Sequence, residues 1–346
     1  MNANEIERAL GTEEPRTDTE RGLERLRASV AREGLTPVVA PPGRRISTRG
    51  VQGLAAAATV VLVASALALS GVAGTVLTIF EPKSVTAVPV SQADLAQLGG
   101  ACRGERLEEC IGAYGTFAWT TPPQPREVRS LPAATAAAGF DVLAPSSLPQ
   151  GVTGTARYGV INRSTATFTF SAEAARASAA KAGRTIPPLP KDVDGAKLTI
   201  TGGPAAIQVW GATDPTATTT GPTGSAGGTL GGIPTLVIGQ AKAPTVTSDG
   251  VTVDELRGYL LQQPGISPQL AAALRAITDP SSTLPVPVPA ELAISHPVKV
   301  QGVDGLFIGD STGLGSAVIW QKGGMMFEVL GTLTESQVLA VANSLK

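Results

Sequence analysis

The chain has 346 residues, with 27 basic and 28 acidic side chains and a net charge of −1 near neutral pH. This balance argues against a nucleic-acid-binding protein, which would carry an excess of positive charge. Aromatic residues make up only 4% of the chain, beside 40 glycines and 27 prolines, so we expect many turns and a core built mainly from aliphatic side chains.

The first predicted region, residues 1–49, is a tail with one short amphipathic helix at 18–33. Thr17 followed by Glu20 fits a capping box, and apolar residues follow at near-helical spacing. A single narrow apolar stripe on a short helix does not fold alone. We therefore expect this segment either to contact a cytosolic partner or to be a disordered tail.

The second region is the stretch from Gly50 to Phe80, which contains no charged side chain. At about 1.5 Å per residue, a helix of this length exceeds the roughly 30 Å hydrocarbon core of a bilayer. A helix also satisfies its own backbone hydrogen bonds in lipid. The alternatives are a buried helix and a cleaved signal peptide, although the apolar region of a signal peptide has only about 7 to 15 residues near the start of a chain. We predict a single transmembrane helix at 50–80, in contact with membrane lipid.

The charges beside this stretch predict its orientation. Arg32, Arg44, Arg45 and Arg49 precede it, whereas Lys83 is the only basic residue in the twenty residues that follow. Basic residues are enriched on the cytoplasmic side of membrane spans. We therefore predict a single-pass protein of the cytoplasmic (plasma) membrane, with a cytoplasmic N-terminus and an extracytoplasmic C-terminal domain.

The third region, residues 81–127, is predicted as a juxtamembrane segment that contains both cysteines of the chain, Cys102 and Cys110. In an oxidising compartment, an isolated pair that closes a short polar loop favours a disulfide bond. Two free thiols are the alternative. A zinc site would need two further ligands, and the chain has a single histidine.

The remaining chain, residues 128–346, has the pattern of an α+β domain. Phe168 and Phe170 share one face of a predicted strand, while threonines share the other, as in a half-buried antiparallel strand. The stretch 212–232 has almost no apolar bulk and is predicted to be a mobile loop rich in glycine and threonine. Strands with local connections are mixed with helices, which indicates an antiparallel sheet with covering helices. The predicted helices begin at serine or threonine caps, at Ser130, Thr252, Ser267 and Thr334.

The pattern at 309–313 matches the Gly-x-Ser-x-Gly motif of serine hydrolases. That motif requires a preceding strand, a following helix and a later histidine. Here a strand is predicted to follow, and the single histidine, His296, comes earlier, so we interpret the glycines as a hairpin connection. The sequence has no phosphate-binding loop and no zinc-protease motif. We predict no enzymatic activity, no cofactor, and no catalytic, cofactor-binding or metal-ligating residue.

Large aromatic side chains in predicted strands are the candidates for lining a ligand groove. These residues are Trp210, Trp320, Phe168 and Phe170. Aromatic rings line many ligand sites, but they also fill many protein cores. Packing in the core is therefore the alternative for all four.

Two segments of the chain resemble a known bacterial family. The first contains AGFDV at 138–142 and LPQG at 148–151, and the second contains VDG at 303–305, VIW at 318–320 and ANSL at 342–345. In these segments the chain resembles membrane-anchored, anti-sigma-factor-associated extracytoplasmic domains. That family is similar to the sigma-E regulator RseB and to LolA-type lipoprotein carriers.

The resemblance implies a curved antiparallel sheet, a partial barrel closed by helices, that senses or holds a ligand and does not catalyse a reaction. Relatives often bind a sigma factor through a cytosolic domain with a His-x-x-x-Cys-x-x-Cys zinc motif, whereas this chain has no cysteine or histidine before residue 50. The leading expectation is an envelope sensor or regulator of anti-sigma type, whose outer domain binds a ligand or an envelope regulatory protein. The alternative is a carrier or chaperone that binds lipid or lipoprotein acyl chains.

Overall fold

The computed structural model describes residues 77–91, 94, 112–211 and 234–346, apart from residues 182, 184, 191, 265, 312 and 314. Within this part of the chain, fifteen strands form three sheets, and five α-helices pack against them. The described fold is therefore built mainly from β-structure.

The largest sheet has eight strands, in the order β12-β13-β14-β15-β9-β8-β5-β4, and all of its neighbours are antiparallel. Strands β12 to β15 form a meander, and β15 then pairs with β9, so the C-terminal strands lie beside those from the middle of the chain. The strands of this eight-stranded sheet are β4 (Pro125–Val128), β5 (Arg157–Ile161), β8 (Ala205–Trp210), β9 (Leu236–Lys242), β12 (Ala293–Val300), β13 (Val303–Asp310), β14 (Ser316–Lys322) and β15 (Met325–Gly331).

The second sheet has five antiparallel strands, in the order β1-β10-β7-β6-β3. Strand β6 shows why these residues form a sheet. The side chains of Ala166, Phe168 and Phe170 are buried, and the threonines that alternate with them are half-buried. The strands of this five-stranded sheet are β1 (Leu77–Phe80), β3 (Gly115–Thr121), β6 (Ser164–Phe170), β7 (Lys197–Gly202) and β10 (Thr245–Ser248).

The third sheet is a parallel pair of β2 (Ser84–Val90) and β11 (Thr283–Pro289). The amide of Ser84 donates to the Ser282 carbonyl at one end of the pair, and the amide of Ala290 donates to the Val90 carbonyl at the other. The direction of the backbone hydrogen-bonding groups alternates along a strand. The N–H and C=O groups of the even-numbered residues of β11 therefore point towards β2, and those of the odd-numbered residues point away from it. The three prolines of β11 occupy odd-numbered positions, namely Pro285, Pro287 and Pro289.

The five helices are α1 (Leu131–Ala138), α2 (Ala172–Lys181), α3 (Val253–Leu261), α4 (Pro268–Ala276) and α5 (Glu335–Ser344). The four predicted caps are confirmed, because each side-chain oxygen accepts a hydrogen bond from the backbone of the first turn. Thr252 and Glu255 form a reciprocal capping box, with bonds of 2.8 and 2.7 Å. Helix α1 ends at Gly139, whose φ of 71° is the left-handed conformation that glycine adopts most readily.

The two faces of the eight-stranded sheet bury different partners. On one face, Trp320 and Val318 of β14 pack with Val338 and Val341 of α5. Helix α1 covers the β5 and β8 end of that face. On the opposite face, Ile319 and Met326 pack with side chains of the parallel pair and the five-stranded sheet; these include Leu284, Val286, Phe168, Leu198 and Val246. We call this second face the inner face.

The predicted fold class is wrong at the C-terminal end of its first element, the helix at 50–80, and this end is the part that the structure describes. Residues 77–80 form strand β1, which pairs with β10, and the side chains of Ile79 and Phe80 are buried. In the part of the chain that the structure describes, no helix has the length and apolar character needed to cross a membrane. An apolar run alone cannot distinguish a buried strand from a helix, and the β-branched Thr78 and Ile79 favour the strand.

The predicted α+β partial barrel is also wrong. The strands are divided among three sheets, one of them parallel, and no described pairing joins β12 to β4 at the two edges of the eight-stranded sheet. Sequence alternation identifies strands but does not show how they are shared among sheets. Residues 81–127, predicted as a juxtamembrane segment, contribute strands to all three sheets.

Several sequence predictions concern residues outside the described ranges. These are the tail at 1–49 with its helix at 18–33, the part of the apolar stretch at 50–76, the bond between Cys102 and Cys110, and the loop at 212–232.

Candidate functional site

The eight-stranded and five-stranded sheets meet at a corner where the chain passes four times from one sheet to the other. The connections are β3–β4, β5–β6, β7–β8 and β9–β10, and their strands occupy matching positions in the two sheets. Such corners are a known way for strands to leave one sheet and join another. The arrangement places four loop segments side by side.

Hydrogen bonds between these connections hold the corner together. The side-chain amide of Asn162, in the β5–β6 connection, donates to the carbonyl of Pro122, in the β3–β4 connection, at 3.3 Å. The amide of Lys242 donates to the carbonyl of Pro204 at 3.1 Å, which joins β9 to the β7–β8 connection. Gly203 has a φ of +66°, and a β-carbon there would lie only 3.3 Å from the Asn162 carbonyl oxygen. The corner therefore requires glycine at this position.

A pocket opens at this corner on the inner face of the eight-stranded sheet. It has about 650 Å³ of empty space, which includes its open mouth. Its wall is mostly apolar and includes Ile161, Ala205, Ile207, Val237, Ala241 and Met326. An apolar wall of this kind is typical of small-molecule sites in proteins.

One carboxyl group lies in the wall of this pocket, that of Glu328 in β15. Its side chain is only 8% exposed, and its neighbours across the sheet are Gly239 in β9 and Ile319 in β14. A β-carbon on residue 239 would lie 3.8 Å from Glu328 Oε2. The carboxyl group therefore lies beside the space that the glycine leaves empty.

No described residue donates a hydrogen bond to the Glu328 carboxyl or forms an ion pair with it. Burial raises its pKa to about 7, because an ionised carboxylate loses its hydration in an apolar environment. Lys242 is the other residue with an ionisable side chain in the described wall, and it is exposed. Near neutral pH the pocket therefore contains a carboxyl group that changes between its neutral and charged forms.

Most other buried polar side chains in the described ranges have partners; the uncharged Trp320 Nε1 and Gln208 Oε1 have none, and Glu328 differs from both because it can carry a charge. Asp94 accepts four hydrogen bonds from Ser91 and Ser267. Gln240 accepts from the Leu143 amide and donates to the Leu143 carbonyl, at 2.9 and 2.6 Å. Native proteins usually satisfy buried polar groups in this way.

Sequence reasoning did not identify Glu328. A signal was present, since this glutamate is the only charged residue in the strand sequence MMFEVLG. A charged residue within an apolar strand is either on a solvent-facing side or in a site. Only the burial of both faces of β15 shows that the second case applies here.

The four aromatic residues predicted as groove candidates lie elsewhere. Trp320 has no exposed surface, and its ring stacks on Phe327 with centroids 5.1 Å apart, beneath α5. Trp210 belongs to the same cluster. Phe168 and Phe170 contact each other edge to face, at 4.8 Å, in the core of the inner face. None of the four is in the described wall of the pocket.

The Gly-x-Ser-x-Gly pattern lies at the connection between β13 and β14, and the interpretation as a hairpin connection is confirmed. The amide of Asp310 donates to the Gly315 carbonyl at 3.0 Å, which closes the hairpin. His296 lies in the edge strand β12, where its Nε2 is 3.0 Å from Glu335 Oε1. In the described ranges, no group of three His, Cys, Asp or Glu side chains could hold a metal ion.

The fold and the pocket together define a mainly β domain with a mostly apolar pocket at the corner of two sheets. No family model, curated protein or solved structure matches this chain.

Proposed function

We propose that this protein is a ligand-binding domain of the bacterial envelope, which takes up an apolar molecule in the pocket at the corner of the two sheets. The observation that supports this proposal is the mostly apolar wall of the pocket, with the buried carboxyl group of Glu328 in it. An apolar ligand would cover side chains such as Val237 and Ile207, and the burial of that surface would stabilise the complex by about 25 cal/mol per Å².

The proposed role is binding and not catalysis. General acid–base or nucleophilic chemistry requires a second polar group positioned against the first. Glu328 has no such partner in the described wall of the pocket, and the nearest residues across the sheet are a glycine and an isoleucine.

We also propose that the chain ahead of Leu77 holds this domain at the outer face of the cytoplasmic membrane. Arg44, Arg45 and Arg49 precede the uncharged stretch, and only Lys83 follows it closely, which supports a cytoplasmic N-terminus. In this arrangement an envelope regulatory protein would bind differently to the ligand-bound and ligand-free forms of the domain. The tail at 18–33 would contact a cytosolic partner. The resemblance to anti-sigma-associated domains supports the same role.

A second candidate function is transport of an acyl chain. The apolar wall of the pocket favours it, because an acyl chain needs no polar partner along its length. A carrier would release its bound acyl chain to acceptor vesicles. A sensor would keep its ligand and would alter its interaction with the envelope regulatory protein.

Photo-crosslinking of the full-length protein in membranes tests the proposed binding site. An alkyl probe with a diazirine group should label peptides that contain Val237 or Ile207. Ala241 lies on the same side of β9 as Val237 and lines the pocket, so Ala241→Trp should fill the space and abolish the labelling. Ala317→Trp, at a half-buried alanine outside the described wall, is the matched control and should keep it. Equal labelling of both variants would refute the proposed site.

A further inference from the structure

We propose that the ligand of this pocket is an amphipathic amine, a molecule with an apolar body and one protonated amino group, and that its ammonium group binds the Glu328 carboxylate. This inference rests on the proposed function and adds the chemical class of the ligand. It depends on the position of Glu328 in the pocket wall and on its lack of a partner.

Glu328 is buried without a partner among the described residues. A buried carboxylate is stable when a cation or several hydrogen-bond donors compensate for its lost hydration. Asp94 shows how this chain does so elsewhere, with four hydrogen bonds from two serines. For Glu328 no described group provides this compensation, although it is 92% buried. The Glu328 carboxyl lies in the wall of an open pocket. A molecule bound in the pocket could therefore provide the compensation that the described residues do not.

The bound molecule is expected to carry a positive charge. An ionised carboxyl group accepts hydrogen bonds and cannot donate them. A bond between an ammonium and a carboxylate is roughly twice as strong as a bond between neutral groups. The facing residues on neighbouring strands are Gly239, Ile319 and Ile207, none of which carries a charge. Lys242, the other ionisable residue in the described wall, is exposed to solvent. An ammonium group would therefore meet a carboxylate with no buried cation to compete for it.

The rest of the ligand is expected to be apolar. The remaining wall is apolar, with Ala205, Val237, Ala241 and Met326 around the space. A small hydrated cation would leave this surface uncovered. An alkyl or aryl amine would cover it and would place its amino group against Glu328.

Three photoreactive probes with the same alkyl chain test the inference, one ending in an amine, one in an alcohol and one in a carboxylic acid. They are added to membranes that contain the full-length protein at pH 6 and pH 8, and crosslinked pocket peptides are quantified. An alkylamine stays protonated across this range, whereas the ionised fraction of Glu328 rises from about one-tenth to about nine-tenths. We expect amine labelling to increase about tenfold from pH 6 to pH 8, and alcohol labelling to be nearly constant.

Glu328→Gln keeps the size of the side chain and removes its charge. This variant should lose the preference for the amine and its pH dependence, and it should still accept the alcohol. Glu335→Gln, at a surface carboxyl group on α5, is the control and should behave as the wild type. The pH dependence of the wild type tests the inference independently of whether Glu328→Gln folds.

The outcomes separate the inference from the proposed function. Labelling by the alcohol without any preference for the amine would overturn the amine ligand and leave the pocket as a site for apolar molecules. Stronger labelling by the acid at pH 6 would also overturn it, because Glu328 would then act as a neutral hydrogen-bond donor. A pocket that no probe labels would refute the proposed function itself.

Discussion

Replacing Glu328 with methionine should change how the stability of the domain depends on pH. Methionine has a similar length and no ionisable group, so it removes the buried charge and keeps most of the apolar contact. In the native protein the pKa of Glu328 is about 7, compared with an ordinary value of 4.5. The folded state therefore binds a proton more tightly than the unfolded state does between these two values.

The sign of the effect follows from this difference. Stability from the neutral carboxyl group is fully present below pH 4.5 and is lost as the pH rises towards 7, because the folded state must then bury a charge. The difference between the two pKa values corresponds to about 3 kcal/mol. Relative to Glu328→Met, the wild type should therefore lose about 3 kcal/mol of unfolding free energy between pH 4.5 and pH 7.5.

Denaturant unfolding followed by tryptophan fluorescence measures this change. The signal is suitable because Trp210 and Trp320 are both buried in the folded domain. Glu328→Gln is the internal control: its absolute stability will differ from that of Glu328→Met, but neither variant titrates at this position, so their curves should have the same pH dependence. A constant difference between the wild type and both variants across this range would show that water reaches the carboxyl group and would refute the argument.

Substitutions at four other positions test the polar contacts of the domain by the same unfolding measurement. Asp94→Ala should cost about 2 to 3 kcal/mol at pH 7. Burial alone would raise the pKa of Asp94, but its hydrogen bonds outweigh that effect and lower it below 3.8, so the loss should disappear as the pH falls below this value. Gln240→Leu should cost about 1 to 3 kcal/mol, because it leaves the Leu143 amide without a partner. Gln208→Leu should cost less, because Gln208 donates only to the Leu143 carbonyl, and Gln240 also donates to that carbonyl. Thr252→Ala should cost about 1 kcal/mol through loss of the capping box, whereas Thr252→Ser should keep most of it.

Helix starts could be predicted from the sequence because a cap is a local contact. Ser130 and Thr334 each accept a hydrogen bond from a backbone amide three residues later, so the relevant residues are adjacent in the sequence. The meander from β12 to β15 was also accessible in part, since its strands follow one another through short hairpins.

The sheet assignments could not be predicted because they depend on contacts between distant residues. Strand β2 pairs with β11, about two hundred positions later in the chain, and Leu77 pairs with Ser248. The alternation of a strand indicates which side chains share a face, but it does not identify the partner strand. For the same reason the apolar run that ends at Phe80 was predicted as one helix.

The site was harder to predict than the fold. Its wall combines residues from three of the connections and from strands that include β8, β9 and β15, and no short motif contains them. Glu328 differs from other glutamates only in its surroundings, which become apparent when β9 and β14 are placed on either side of it. The large aromatic residues that attracted attention in the sequence serve to fill the two cores.

The three prolines of β11 protect the chain against unwanted self-association. Their positions turn their backbone nitrogens towards the outer edge of the parallel pair, where a proline has no hydrogen to offer to another molecule. A second copy of the protein that approached this border would find carbonyl groups but no donor at the three proline positions. The domain can therefore keep the apolar strand β11 at the border of a sheet without offering a complete set of hydrogen-bonding groups to a neighbouring molecule.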